Sequence, residues 1–489
     1  MKLSIRKFVL IGCLLIANLS MVYGKAHFTW SAEFDRAYEL VFRFEFESAK
    51  TILESASLED PDNLVPAYIQ SDIDLIQFMN TEQKGDKAQL FNHYDVLLKR
   101  VSSLPKSHPR RASILGELYL KRGFVHLSSE SNLSAAMDVY RSYNLSETAY
   151  RQDSLLSPNM LGWGIMQLVM GAIPENYQWY ASVVGLNGDV AEGERIMSRL
   201  LRSAQGNSMD LLHARFTKAY VTLNVDFEQE MSFSDSETLK YPLFLFLKSE
   251  DLARSGKGQL AADLVARAKE ERGFLGLWYL EYSFGKTLVR NLREGAESQL
   301  LFFINQYPGE NYLKSACLYL SWHFMLQGDE EAYSLYTAEV KTKGKAFVGA
   351  DKQAVYESEV RPHPQLLRAR LAFDRGDDES VEIILENMNP LLFSSTLNNQ
   401  LWHYYRARIF ERKGNDEQAI SEYGNVIKTP FDARTYLLPA SHIRMAELFL
   451  SQGETGKAEV HFKESLKYND YPYAASYQRP AKSALKTLK

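Results

Sequence analysis

Apolar residues recur along this chain at helical spacing, and they do so inside a larger unit that itself repeats. In "QGETGKAEVHFKESLKY", Gly453 is followed by Ala458, then Phe462, then Ser465 and Leu466. "KGNDEQAISEYGNVIKTP" keeps the order with Gly414, Ala419, Tyr423, Val426 and Ile427, and stops at Pro430. "RGDDESVEIILENMNP" does the same with Gly376, Val381, Leu385, Met388 and Pro390, so the three glycines lie 38 and 39 residues apart. Upstream, the order returns from Gly256 through Ala261, Val265 and Ala268, and from Ala296 through Leu300 and Phe303 to Pro308. Gly328 and Ala332 carry it one residue short, and Ala49, Leu53, Ala56 and Pro61 carry it near the start.

Each position in the unit has a physical reason. A small residue lets two helices approach, a large apolar residue one turn later fills the groove between them, and proline closes the second helix. Glycine makes the turn that joins the pair, because before each glycine lies another amphipathic pattern such as "LWHYYRARIFER" or "SHIRMAELFLSQ". One pair cannot bury its apolar faces alone, so neighbouring pairs must stack. The pattern predicts an all-α protein, a right-handed α-solenoid of antiparallel helix pairs with about 22 helices. Between Asn207 and Tyr241 the sequence offers no clear second helix.

One stretch departs from amphipathic spacing. Leu161 to Pro174 holds no charge over 14 residues, and as a helix it would be about 21 Å long, short of the roughly 30 Å hydrocarbon core of a bilayer. A central helix packed on several sides is therefore expected rather than a membrane span. Gly164, Leu168 and Gly171 share one face of it, and Gly188, Gly193, Met197 and Leu200 then repeat the small-to-large order.

The first residues belong to a different category. Lys2, Arg6 and Lys7 precede an apolar run from Phe8 to about Val22, the pattern of a secretory signal peptide over residues 1–24. Cys13 lies only six residues beyond Lys7, with most of the apolar run after it, which argues against a lipid anchor. The remainder divides into a divergent helical region over 25–205 and a repeat region over 206–489. An exported protein, in the periplasm or at the cell surface, is expected. Without its first 24 residues the chain's formal charge falls from −5 to about −8, which disfavours a nucleic-acid partner. Only Cys317 then remains, so no internal disulfide can form and packing must hold the fold.

The units near 242–272, 277–309, 362–391, 400–433 and 439–472 resemble the tetratricopeptide repeat (TPR). That resemblance implies a curved array whose first helices line a concave wall that binds a peptide or protein. The segment Pro158 to Leu200, with glycines inside an apolar helix, a proline and a Gly-Asp turn, also resembles a helical-repeat family that includes the inclusion body clearance proteins. The likeness implies shared architecture and carries over no catalytic residues.

The chain carries no complete catalytic motif. "FGKT" at Phe284–Thr287 looks like the end of a phosphate loop, but Leu280 stands where the motif needs glycine. Gly185 and Gly188 lack the third glycine of a dinucleotide fingerprint. The ten histidines form no H-x-x-x-H pair, and no G-x-S-x-G elbow occurs. Acidic pairs such as Asp377-Asp378 and Glu330-Glu331 fall at helix starts, where they favour the dipole. No enzyme, no cofactor and no metal is expected.

The leading reading is an exported scaffold or adaptor that binds a protein or peptide on its concave face. Arg370, Tyr404, Arg408 and Arg412 are the candidate binding residues, because Tyr404, Arg408 and Arg412 are one helical turn apart and a guanidinium row suits an acidic partner. The alternative is a cell-surface glycan- or nutrient-binding protein that uses Tyr177, Trp179 and Tyr180 as an aromatic platform. A helical-toroid hydrolase is a third reading, which would need paired carboxylates across a central cavity.

Overall fold

The computed structural model describes residues 25–82, 87–128, 131–171, 185–203, 208–225, 233–390, 393, 395–469, 471 and 474–488. Residues 1–24, and with them the signal-peptide reading, lie outside the described residues. Among the described residues there are 24 helices and no strand, with one isolated bridge between His27 and Asn63. The chain is an all-α solenoid of helix pairs, somewhat richer in helices than the spacing predicts. No described helix is long and apolar enough to cross a membrane.

Two compact units divide the chain, one reaching Asp226 and one beginning at Phe227, with Asn80–Glu82 grouped in the second. The division falls some twenty residues later than the 205/206 boundary read from the sequence, because the helix over Ser208–Val225 packs with the N-terminal unit.

The N-terminal unit contains α1 (Ala32–Phe42), α2 (Phe46–Glu59), α3 (Val65–Thr81), α4 (Lys87–Ser102), α5 (Arg111–Leu127), α6 (Asn132–Gln152), α7 (Ser157–Gly171), α8 (Val190–Arg202) and α9 (Ser208–Val225). The uncharged stretch becomes α7, and its glycines are where α8 comes close. A Cβ on Gly164 would sit 2.7 Å from Met197 Cε, and one on Gly193 2.6 Å from Leu168 Cγ. The Asp189 side chain caps α8, accepting from the amides of Ala191 (2.8 Å) and Glu192 (3.2 Å). The last helix of the unit meets the first: α9 packs against α1, and His213 on α9 meets Phe42 and Tyr38 ring to ring, each at 5.4 Å.

The C-terminal unit contains α10 (Asp235–Lys240), α11 (Pro242–Arg254), α12 (Gly258–Arg272), α13 (Trp278–Arg290), α14 (Ala296–Gln306), α15 (Leu313–Gln327), α16 (Glu330–Thr342), α17 (Gly349–Ser358), α18 (Pro364–Asp374), α19 (Asp378–Glu386), α20 (Thr396–Arg412), α21 (Asp416–Ile427), α22 (Leu437–Ser451), α23 (Thr455–Ser465) and α24 (Ala474–Thr487). Its pairs are α11/α12, α13/α14, α15/α16, α18/α19, α20/α21 and α22/α23. From α13 onward the first helices of successive pairs touch one another and form an inner layer, while the second helices lie outside. Gly256, Gly328, Gly376, Gly414 and Gly453 make the turns within pairs, and all five have positive φ, a region that costs a Cβ-bearing residue.

The small residues of the repeat lie where helices meet. Ala419 and Ala458 are fully buried, each in one core with Tyr423 and Phe462. Ala419→Leu and Ala458→Leu are each expected to cost about 1–3 kcal/mol by overpacking a close helix contact. Denaturant melts that overlay the unmutated protein would show that these positions have room to spare.

Candidate functional site

The inner layer of the C-terminal unit, together with α11 beside α13, carries alternating bases, acids and tyrosines at one-turn spacing. Glu250 and Arg254 on α11, Lys286 and Arg290 on α13, Arg370 and Asp374 on α18, and Tyr404 and Arg408 on α20 are each four residues apart, so each couple shares a helix face. Their charges are mostly met from neighbouring helices. Lys286 Nζ lies 3.7 Å from Glu250, which also accepts from the Ser283 hydroxyl. Arg290 lies 3.4 Å from Asp374 and donates to the Tyr319 hydroxyl at 3.0 Å. Arg370 binds both carboxylate oxygens of Glu357 on α17, at 2.9 and 3.0 Å. Arg444 on α22 reaches Glu411 at 3.4 Å and Glu447 at 2.9 Å.

These side chains are recessed yet still touch water, with Arg290, Arg370 and Arg444 at 29, 22 and 34% exposure. Burial pushes the Lys286 ammonium below its usual range, with the Glu250 carboxylate working against that shift. Burial alone would raise Glu250, but the charge of Lys286 and the Ser283 hydrogen bond hold it below the usual carboxylate range. The Tyr319 phenol is raised by burial, with Arg290 and Arg370 opposing. Such a lining can exchange one carboxylate for another on its guanidinium groups.

The residues singled out from the sequence land differently from expectation. Tyr404 is 4% exposed, and its ring packs against Tyr405, Tyr423 and Tyr436 at 5.9, 5.9 and 6.2 Å, so it belongs to the core rather than to an open wall. Arg408 and Arg412 come together over the ring of Phe373, at 5.2 and 3.9 Å. Arg412 is paired with Asp378 and Arg408 lies 3.5 Å from Glu411. Arg370 stands apart from them over Trp322 at 4.7 Å. The expected open row of guanidinium groups is instead a set of ion-paired side chains stacked on aromatics. Helical spacing fixes which residues share a face, and the neighbouring helices decide what meets that face.

Lys286, Arg290, Tyr319 and Tyr436 were missed. Lys286 sits inside "FGKT", a stretch weighed only as a failed phosphate loop, and its one-turn spacing to Arg290 was the available signal. The aromatic platform of Tyr177, Trp179 and Tyr180 lies outside the described residues.

The N-terminal unit holds a different cluster. Lys121 on α5 bridges Asp72 of α3 at 2.7 Å and Glu117 at 2.8 Å, and its ammonium lies 4.6 Å from the centre of the Tyr68 ring. The Tyr68 hydroxyl donates to Glu117, and the Tyr38 hydroxyl is bonded to His213 Nε2. Tyr38, Tyr68, Asp72 and Lys121 are at most 6% exposed. Burial raises Asp72 despite the attraction of Lys121, and burial lowers His213 so that its imidazole stays neutral. Paired carboxylates are thus present, as the hydrolase reading requires, but Lys121 fills the space between them. Among the described residues no group of three or more His, Cys, Asp or Glu side chains is arranged to hold a metal ion.

No family model matches the chain, and no curated protein matches it. Among solved structures, one described as the crystal structure of the APC/C hetero-tetramer Cut9-Hcn1 aligns over 94% of this chain and 96% of that chain, at 12% identity and a TM-score of 0.22. Superposition at that level does not define a common fold, so the TPR-like assignment stands on the helix pairing and its glycine turns.

Proposed function

We propose that the protein is an exported, non-enzymatic scaffold whose C-terminal unit holds a segment of a partner protein along its inner layer of helices. The observation that carries the reading is the recessed but water-touching lining of Arg290, Arg370, Arg408 and Arg444 among tyrosines. Helical-repeat proteins bind on the surface their first helices share. Export rests on the basic and apolar pattern of residues 1–24.

The partner segment carries carboxylates that replace Glu357, Asp374 or Glu411 on the guanidinium groups. Such exchanges are nearly neutral, since one carboxylate replaces another on the same guanidinium group. Affinity therefore comes chiefly from contacts other than these charges, and charge supplies selectivity and sensitivity to salt. A photo-cross-linking residue placed at Arg254 or Arg444 should capture the partner from an envelope extract, whereas one at Lys463 on the outer helix α23 should not. Arg444→Ala is expected to weaken the captured partner's binding by up to about fivefold, the equivalent of one exposed pair. Cross-linking from Lys463 alone would move the binding surface to the outer layer and sink the proposal.

A further inference from the structure

Successive repeats can be compared position by position, and one position changes character between the last two. On the pair α20/α21, His403 Nδ1 lies 2.5 Å from Glu422, and Arg406 donates to the other oxygen of that carboxylate at 3.0 Å. Thirty-nine residues on, in the pair α22/α23, the same three positions hold His442, His461 and Met445. The acid has become a second imidazole, and the guanidinium has become a buried thioether. His442 Nδ1 and His461 Nδ1 face each other at 3.0 Å.

We propose that His442 and His461 form a two-imidazole site for a borderline divalent cation of the zinc class, which clips α22 to α23. Imidazole nitrogens bind zinc at about 2.0–2.1 Å, which in tetrahedral geometry sets them roughly 3.3 Å apart. The pair needs to open by only a few tenths of an ångström. Ligation uses the lone pair of a neutral imidazole, and the Nδ1–Nδ1 contact already brings two such nitrogens together. The Glu464 carboxylate stands one turn after His461, where it adds negative charge beside the pair. His461 is half-exposed, which leaves a path for the ion and for the waters that complete its coordination. The ring that donates from Nδ1 moves its proton to Nε2 when both Nδ1 atoms ligate, so no net proton is lost at neutral pH. The equivalent site on α20/α21 does not take the ion, because Arg406 already occupies its carboxylate.

The test is equilibrium dialysis of the full chain against Zn²⁺ at neutral pH with elemental analysis, for the unmutated protein, His461→Gln, His442→Gln and His403→Gln. The first should hold a zinc equivalent that either variant of the pair loses or binds about tenfold more weakly or worse, since even outer-shell losses cost 10–100-fold. His403→Gln should bind as the unmutated protein does, and excess Mg²⁺, which prefers oxygen ligands, should not compete. Near-ultraviolet dichroism confirms that each variant is folded. Because His461 is half-exposed, His461→Gln decides the matter if the more buried His442→Gln misfolds. Zinc uptake unaltered by His461→Gln, or reduced equally by His403→Gln, overturns the proposal.

Discussion

Replacing Lys121 with methionine is expected to destabilise the N-terminal unit by about 3–5 kcal/mol, the cost of removing one partner from a buried ion pair. Asp72 and Glu117 would be left facing each other away from water, with the Tyr68 hydroxyl on Glu117 and little else to offset their charge. The loss should depend on pH in a defined direction. Without the ammonium, the folded-state pKa of both carboxyls rises above the unfolded value, so the penalty is present at neutral pH and relieved as pH falls through the raised values. The gap between variant and unmutated protein should therefore narrow from pH 7 to pH 5. Asp72→Asn, Glu117→Gln and Lys121→Met combined should recover much of the stability, because neutral replacements remove the uncompensated charge. Chemical denaturation of the three proteins at both pH values checks this. A single-variant loss under about 1 kcal/mol would place the cluster in contact with water.

Gly188→Val is expected to cost about 3 kcal/mol or more, at or above the upper end of ordinary overpacking. A Cβ at Gly188 would lie 2.3 Å from the Gly171 amide nitrogen and 2.7 Å from the Gln167 carbonyl oxygen, and backbone of a packed helix cannot step aside as a side-chain tip can. Gly162 is the internal control. It lies on α7, the helix that Gly188 approaches, but its Cβ would meet only Ser146, at 3.5 Å from Oγ and 3.9 Å from Cβ, which are ordinary contacts. Gly162→Ala should be neutral or stabilise by about 0.5–1 kcal/mol, the helix advantage of alanine over glycine. Equal melting temperatures for Gly188→Val and Gly162→Ala would mean that the start of α8 does not pack against the end of α7.

These two experiments mark the reach of the sequence. The repeat was legible because its signals are local. A glycine at a turn, a small residue five positions on and a large one a turn later report on a single helix pair, and Gly376, Gly414 and Gly453 all stand at positive φ as that reading needs. The close approach at Gly164 and Gly193 was legible for the same reason, since α7 and α8 are neighbours in the chain. The helix α17 was not, because it interrupts the pairing between α16 and α18 without a glycine turn of the repeat type and packs against α15. Nor was the reason for the weak patterning of α15 itself, which buries twelve of its fifteen residues and so shows no single apolar face.

The sequence by itself determined the helix pairs, their turns and the small residues at their contacts. It also placed Tyr404, Arg408 and Arg412 on adjoining turns of one helix. Only the tertiary structure decided that Tyr404 is core, that Arg408 and Arg412 close over Phe373, and that Glu357 takes Arg370. It likewise assembled Asp72, Glu117, Lys121 and the Tyr38–His213 contact from four helices spread over some 175 residues. The physical reason is one of range. Backbone hydrogen bonding and helical periodicity act over a few residues, whereas the partner of a charge is set by whichever helix the stacking brings beside it.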